Sequence, residues 1–253
     1  MPSITEPKLS LSRILLQWLR DGLAREGRAR TLWRFAAALW EFMRESTPEQ
    51  RRRRYGDVEY DWDCRVDTTS ATVGWRDRLL GVFLSPYQAT EPLLFREMLE
   101  SLKIDFSEFT FVDLGSGKGR ALLMATDFPF RRIIGVELVP SLHGVAQENI
   151  GRYKSDSQKC FAVESVCGDA RELDFPPQPT VVYLFNPLPE AGLAEVVARL
   201  ERSLGECPRP VYVLYHNPLL ESVFSSSAIF KKIGGTQRYS IYAAGRGRLE
   251  SLP

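Results

Sequence analysis

A chain of 253 residues, 44% of them hydrophobic and with a net charge of +1, is long enough to bury one sizeable core and too balanced to be a polyelectrolyte. It contains no apolar run long enough to cross a bilayer and no secretory cleavage pattern. Cys64, Cys160, Cys167 and Cys207 form no Cys-x-x-Cys pair, which argues against a structural zinc site and for reduced thiols in a cytoplasmic protein.

The charge is unevenly spread. Residues 1–56 hold twelve Lys or Arg against six Asp or Glu, and the rest of the chain is net acidic. In this basic part Ile14, Leu15, Trp18, Leu19 and Leu23 share one helical face. Beyond Glu26-Gly27-Arg28, Leu32, Phe35, Ala36, Leu39, Trp40 and Met43 share another. The spacing predicts two amphipathic helices expected to pack on the chain's own domain, with membrane-surface contact as the second reading. The run Arg51–Arg54 reads as a solvated basic face, because no nucleic-acid motif or aromatic-interleaved groove accompanies it.

The next stretch, Asp57 to Asp63, is dense in acids and aromatics. Tyr60, Asp61, Trp62 and Asp63 are candidate substrate residues: carboxylates attract a cationic amine and rings add cation–π contact. The competing reading is a solvated loop with one anchored aromatic. Ser85 to Pro92 then forms a Tyr- and Pro-containing loop ahead of a predicted helix, Leu93 to Leu102.

The densest signal follows. Phe111-Val112-Asp113-Leu114 is a buried strand ending in an acid, and Gly115-Ser116-Gly117-Lys118-Gly119 leads at once into Arg120-Ala-Leu-Leu-Met-Ala. Glycines permit positive φ and close approach of a ligand to the backbone, and a helix start offers unsatisfied N–H groups. A dinucleotide fingerprint fails because Arg120 stands where the last glycine belongs. A P-loop fails because Val112 and Gly119 replace its first glycine and its Ser/Thr. The pattern Asp-x-Gly-x-Gly-x-Gly fits at Asp113, Gly115, Gly117 and Gly119, and here the chain resembles the class I, seven-strand S-adenosylmethionine-dependent methyltransferases. In that family the acid helps to hold the amino acid end of the cofactor.

The downstream spacing is consistent with that plan. Arg132 to Glu137 is a second buried strand, and Glu137, about twenty residues past the glycines, sits where an acid accepts hydrogen bonds from a ribose diol. Pro140 opens a helix. A third strand near Phe161 to Val166 ends at Gly168-Asp169-Ala170, where the resemblance implies an adenine contact. A fourth, Val181 to Phe185, ends in Asn186-Pro187-Leu188-Pro189, partly resembling the Asn/Asp-Pro-Pro-aromatic motif of amino methyltransferases but lacking its aromatic. After a helix from Pro189 to Leu204 comes a fifth strand, Val211 to Tyr215, ending at His216. Ala228 to Ile233 and Tyr239 to Ala243 make a terminal hairpin.

The expected fold is α/β: a Rossmann-like, doubly wound, mostly parallel seven-stranded sheet with a C-terminal antiparallel hairpin. Residues 1–84 are expected as a helical N-terminal extension or cap and residues 85–253 as the methyltransferase domain. The resemblance spans about residues 85 to 245 and implies S-adenosyl-L-methionine as cofactor and S-adenosyl-L-homocysteine as product. It places Asp113, Gly115, Ser116, Gly117, Gly119, Glu137, Asp169, Ala170 and Asn186 at the cofactor, with no metal. The loop at Tyr87, Gln88 and Thr90 resembles the one covering the methionine end of the cofactor in seven-strand protein lysine methyltransferases, the Dot1 group included. Asn186 and His216 are the candidate catalytic residues, orienting or deprotonating the acceptor. That acceptor is read slightly as an amine nitrogen, on a protein lysine or a small molecule. The alternatives are a nicotinamide-dependent oxidoreductase and a methyltransferase-like scaffold without turnover.

Overall fold

A computed structural model describes residues 11–45, 58–69 and 88–245. Tyr87, Arg51–Arg54 and the expected boundary at 84/85 lie outside the described residues. The described residues begin with two helices, α1 (Leu11–Glu26) and α2 (Arg28–Glu45), joined at Gly27 with φ +79°. Gly22 lies against Thr31 and the Trp18 ring meets Phe35, which makes the pair an antiparallel hairpin. The apolar stripe Leu32, Leu39, Trp40 and Met43 does not pack on the domain as expected but is exposed. The apolar arc of α2 is wider than one partner helix covers, and α1 takes the side that carries Thr31 and Phe35.

After the short α3 (Val58–Cys64) and α4 (Pro92–Glu100) comes the alternating part. It runs β1 (Thr110–Leu114), α5 (Arg120–Ala125), β2 (Arg132–Glu137), α6 (Pro140–Arg152), β3 (Val163–Cys167), β4 (Thr180–Leu184), α7 (Glu190–Glu206) and β5 (Val211–His216). The small α8 (Glu221–Ser225) and the hairpin β6 (Lys231–Gly235) and β7 (Tyr239–Ala244) complete it. The sheet order is β3-β2-β1-β4-β5-β7-β6. The pairs among β1 to β5 are parallel, and β7 runs antiparallel between β5 and β6. This is the seven-stranded, doubly wound sheet expected from the sequence.

β1 and β4 are buried along their whole length, as strands covered on both faces are. Phe111, Val181 and Tyr183 point into one layer with Phe95 and Met98 of α4 and Leu122 of α5. Val112, Leu114, Val182 and Leu184 point into the other, under Leu193, Val197 and Leu200 of α7. Strand order reverses at the β1–β4 pair, whose crevice lies at the carboxyl ends, next to the glycine turn and Asn186.

Candidate functional site

The glycine turn is built from backbone conformations that side chains disfavour. Gly115, Gly117 and Gly119 have φ of +78°, +54° and +85°. A Cβ on Gly115 would lie 2.6 Å from Cβ of Pro187, so this turn and the loop after β4 touch across the crevice. The Gly115 and Ser116 amides donate to the Val136 carbonyl, and the Gly117 amide donates to Oε2 of Glu137 at 2.8 Å. Oε1 of Glu137 accepts from the Val139 amide at 2.8 Å. Glu137 therefore ties the glycine turn to the end of β2. Burial raises its pKa against the pull of those amides. Ser116 turns its buried hydroxyl toward β2, 2.7 Å from where a Cβ on Gly135 would stand, and it has no hydrogen-bond partner among the described residues.

Asp113 is different. It is buried at the strand end and its carboxyl accepts no hydrogen bond among the described residues. Burial, and then the charge of Glu137, push its pKa well above the usual carboxylate range. A carboxylate in this setting is stabilised by whatever donor or cation enters the crevice beside it.

Across the crevice the site is made of side chains. The Asn186 backbone is left-handed, with φ +46°. Its amide nitrogen donates to the Asn217 carbonyl at 2.7 Å and its amide oxygen accepts from the Tyr215 hydroxyl at 2.8 Å. One N–H and one lone pair of the amide are left over. His216 stacks on Phe185, ring centroids 3.9 Å apart, with Nδ1 at 2.8 Å from the Tyr183 hydroxyl. The same hydroxyl is 3.0 Å from Oγ1 of Thr90. Burial, with help from Arg238 and against Glu91, lowers the His216 pKa to about 4, so the imidazole is neutral at pH 7. Burial holds the Tyr183 hydroxyl far above its ordinary pKa.

Residues 58–69 are held against the glycine turn by two cations that the turn itself supplies. Lys118 and Arg120 are each only 2% exposed. Lys118 donates to Asp67 at 2.8 Å and to the Thr69 carbonyl at 2.9 Å. Nε of Arg120 donates to Oγ1 of Thr68 at 2.7 Å, and its guanidinium reaches Asp61 and lies 4.8 Å over the Tyr60 ring. Asp61 also accepts from the amides of Thr68 and Thr69 and from the Thr68 hydroxyl. Asn149 of α6 closes the network on Asp67 and on the Lys118 carbonyl. The acid- and aromatic-rich stretch is thus a helix rather than a loop, and helical rotation splits its four candidates. Tyr60 and Asp61 face inward and are engaged by Arg120, whereas Trp62 is 82% exposed and Asp63 is exposed.

The remaining candidates are placed as follows. Asp169 ends the β3 loop but is paired with its neighbour Arg171 through backbone and guanidinium. Burial raises its pKa, yet the Arg171 hydrogen bonds and charge together hold it below the usual range. Ala170 is buried, Gln88 is exposed, and Thr90 faces Tyr183. Sequence reasoning missed Lys118, Arg120, Tyr183, Tyr215 and Asn149. A charged residue heading the all-apolar helix Arg120–Ala125 and a hydroxyl inside the aliphatic run of β4 were the available signals.

Residues 112–209 match a family model described as a methyltransferase domain. No curated protein matches the chain. Among solved structures it is similar to an RNA methyltransferase from Salinibacter ruber crystallised with S-adenosyl-L-homocysteine: 23% identity, 66% of this chain and 99% of that one, TM-score 0.44. It is also similar to a precorrin-6y C5,15-methyltransferase from Geobacter metallireducens, at 16% identity over 62% of this chain and 90% of that one, TM-score 0.45.

Proposed function

We propose, from the premise that residues 112–209 are a class I, S-adenosylmethionine-dependent methyltransferase domain, that the crevice between the glycine turn and Asn186 transfers a methyl group to an amine nitrogen, of a protein lysine or a small molecule. The observation that carries the cofactor part of this reading is Asp113: a buried carboxyl that accepts no hydrogen bond among the described residues, beside the glycine turn. Its chemistry fits a ligand that brings a cationic amino group. The fit extends to Gly115 and Gly117 at the same turn and to Glu137, whose carboxylate holds the turn to β2. Asp169 and Ala170 stand at the adenine end in this reading.

The bound cofactor supplies an already activated methyl sulfonium, so the chain's task is placement and exclusion of water. Asn186, fixed by Tyr215 and Asn217, presents its spare lone pair to an acceptor N–H. His216 takes part as a neutral, orienting ring. A conjugate acid with a pKa of about 4 makes it too weak a base to collect a proton from an ammonium group at pH 7. The stacked Phe185 and His216 rings form a flat wall next to it. Trp62 and Asp63, exposed on α3, are kept in this reading as the residues that meet the acceptor.

Two measurements test the reading. Calorimetry should show binding of S-adenosylmethionine and S-adenosylhomocysteine in preference to NAD; binding of NAD alone would return the chain to the oxidoreductase alternative. Labelled methyl donor incubated with fractionated cell extract should then mark an acid-stable, amine-linked product. Label that appears solely in nucleic acid would overturn the acceptor class, and label solely in ester linkage would overturn the nitrogen assignment.

A further inference from the structure

The two N-terminal helices carry an apolar surface that the other described residues leave open. On α2, Leu32, Trp33, Leu39, Trp40 and Met43 recur at i, i+1, i+7, i+8 and i+11, a contiguous stripe of about 120°. Trp33 is 72% exposed, Trp40 67% and Leu32 65%. On α1, Leu16 and Leu23, two turns apart, are exposed as well. The hairpin contact runs through Trp18, Gly22, Thr31 and Phe35. In an antiparallel pair, rotation away from that contact carries the exposed residues of both helices to the same side. The result is one continuous apolar face, not two unrelated patches.

The charges say what covers it. Arg20 lies between Leu16 and Leu23 on the exposed side of α1, and Arg28 borders the leucine edge of the α2 stripe. Arg30 is exposed beyond the tryptophan edge. In sequence, residues 1–56 hold twelve Lys or Arg against six Asp or Glu, including Arg51–Arg54. Tryptophan with one apolar and one polar edge, leucines between, and arginines that lay their stems along the apolar face while keeping the charge in water are the composition of an interfacial helix. No described helix is long and apolar enough to cross a membrane.

We propose that the α1–α2 hairpin docks flat on an anionic lipid bilayer through the Leu16, Leu32, Trp33 and Trp40 face, with its arginines at the headgroups. A single lipid chain or a single charge cluster binds membranes weakly, whereas an apolar face joined to a basic patch supplies the two attractions that retention needs. Docking would hold the crevice at a membrane without any change in the crevice itself.

The full-length chain should float with vesicles of phosphatidylcholine and phosphatidylglycerol. On phosphatidylcholine alone, partitioning should fall by about a hundredfold, since three exposed arginines lose their anionic partners. Bromine on the lipid chains should quench tryptophan emission in the wild type. W33S/W40S should lose that quenching and bind at least about tenfold more weakly while folding normally, because both rings stand in solvent. Equal binding by the double variant, no binding to either vesicle, or binding indifferent to lipid charge would each overturn the proposal. A lipid-free dimer that W33S/W40S dissociates would give the face to a second copy of the chain and overturn it too.

Discussion

The two walls of the crevice are made by opposite means. On the β1–β2 side, shape comes from backbone: three positive-φ glycines, and one carboxylate, Glu137, that accepts from two amides. On the β4–β5 side, shape comes from side chains far apart in sequence: Asn186 with Tyr215 and Asn217, and His216 with Tyr183 and Thr90. A backbone-built wall tolerates almost no added atom, because a Cβ is resisted by local strain and by Pro187 together. A network-built wall should lose function by degrees, since each partner retains other contacts. Substitutions on the two sides should therefore separate folding and cofactor binding from turnover.

The largest effect should come from the cation that fastens residues 58–69 to the glycine turn. Arg120→Met leaves Asp61 buried without its guanidinium, and removing one partner of a buried pair costs about 3–5 kcal/mol. Chemical denaturation should show that loss, with proteolysis opening first at 58–69. A variant as stable as the wild type would mean that the clamp contributes nothing.

Next is Gly115→Ala. It combines a φ of +78° with a contact of 2.6 Å, and about 1–3 kcal/mol of strain should appear in thermal unfolding. Calorimetric binding of S-adenosylmethionine should disappear. Retained binding would break the idea that this wall is intolerant.

Glu137→Ala removes the acceptor for two amides. Losing hydrogen bonds to a charged group costs about 1.5–3 kcal/mol, so cofactor affinity should drop ten- to a hundredfold. On the other wall, Asn186→Gly keeps the left-handed backbone but deletes the amide. Single-turnover methyl transfer should slow by about ten- to a hundredfold with cofactor affinity nearly unchanged. A parallel fall in both quantities would erase the distinction between the walls.

The smallest effect is a pH dependence. His216 has its folded-state pKa lowered to about 4, below its unfolded value near 6.5. The unfolded chain takes up this proton first as pH falls. The stability that neutral His216 supports at pH 7 is therefore lost progressively between about 6.5 and 4. His216→Gln should flatten the stability–pH curve in that window by about 1 kcal/mol or more relative to wild type. Superimposable curves would show that the imidazole does not titrate there.

Much of this molecule was legible in sequence because it depends on local rules. Continuous β-branched runs marked the strands of a covered sheet, and Asp113-x-Gly-x-Gly-x-Gly marked the turn. A left-handed backbone favours glycine for a steric reason local to the residue, as at Gly115, Gly117 and Gly119, with Asn186 a polar exception. Asn186 and His216 were also visible, as polar residues closing apolar strands.

What tertiary structure alone decided is where each polar side chain spends its hydrogen bonds. Nothing near Asp61 in sequence announces Arg120, fifty-nine positions away, and nothing near His216 announces Tyr183, thirty-three positions away. The pairing of Asp169 with Arg171, two residues along, runs through a turn that spacing cannot reveal. The outward turn of the α2 stripe was equally hidden. Amphipathic spacing specifies that a face is apolar, whereas which surface covers it depends on what the folded chain brings alongside. Strand, turn and glycine positions obey energies that each residue carries with it. The pairing of buried charges and the partner of an exposed face depend on distances set only when the sheet and its helices have closed.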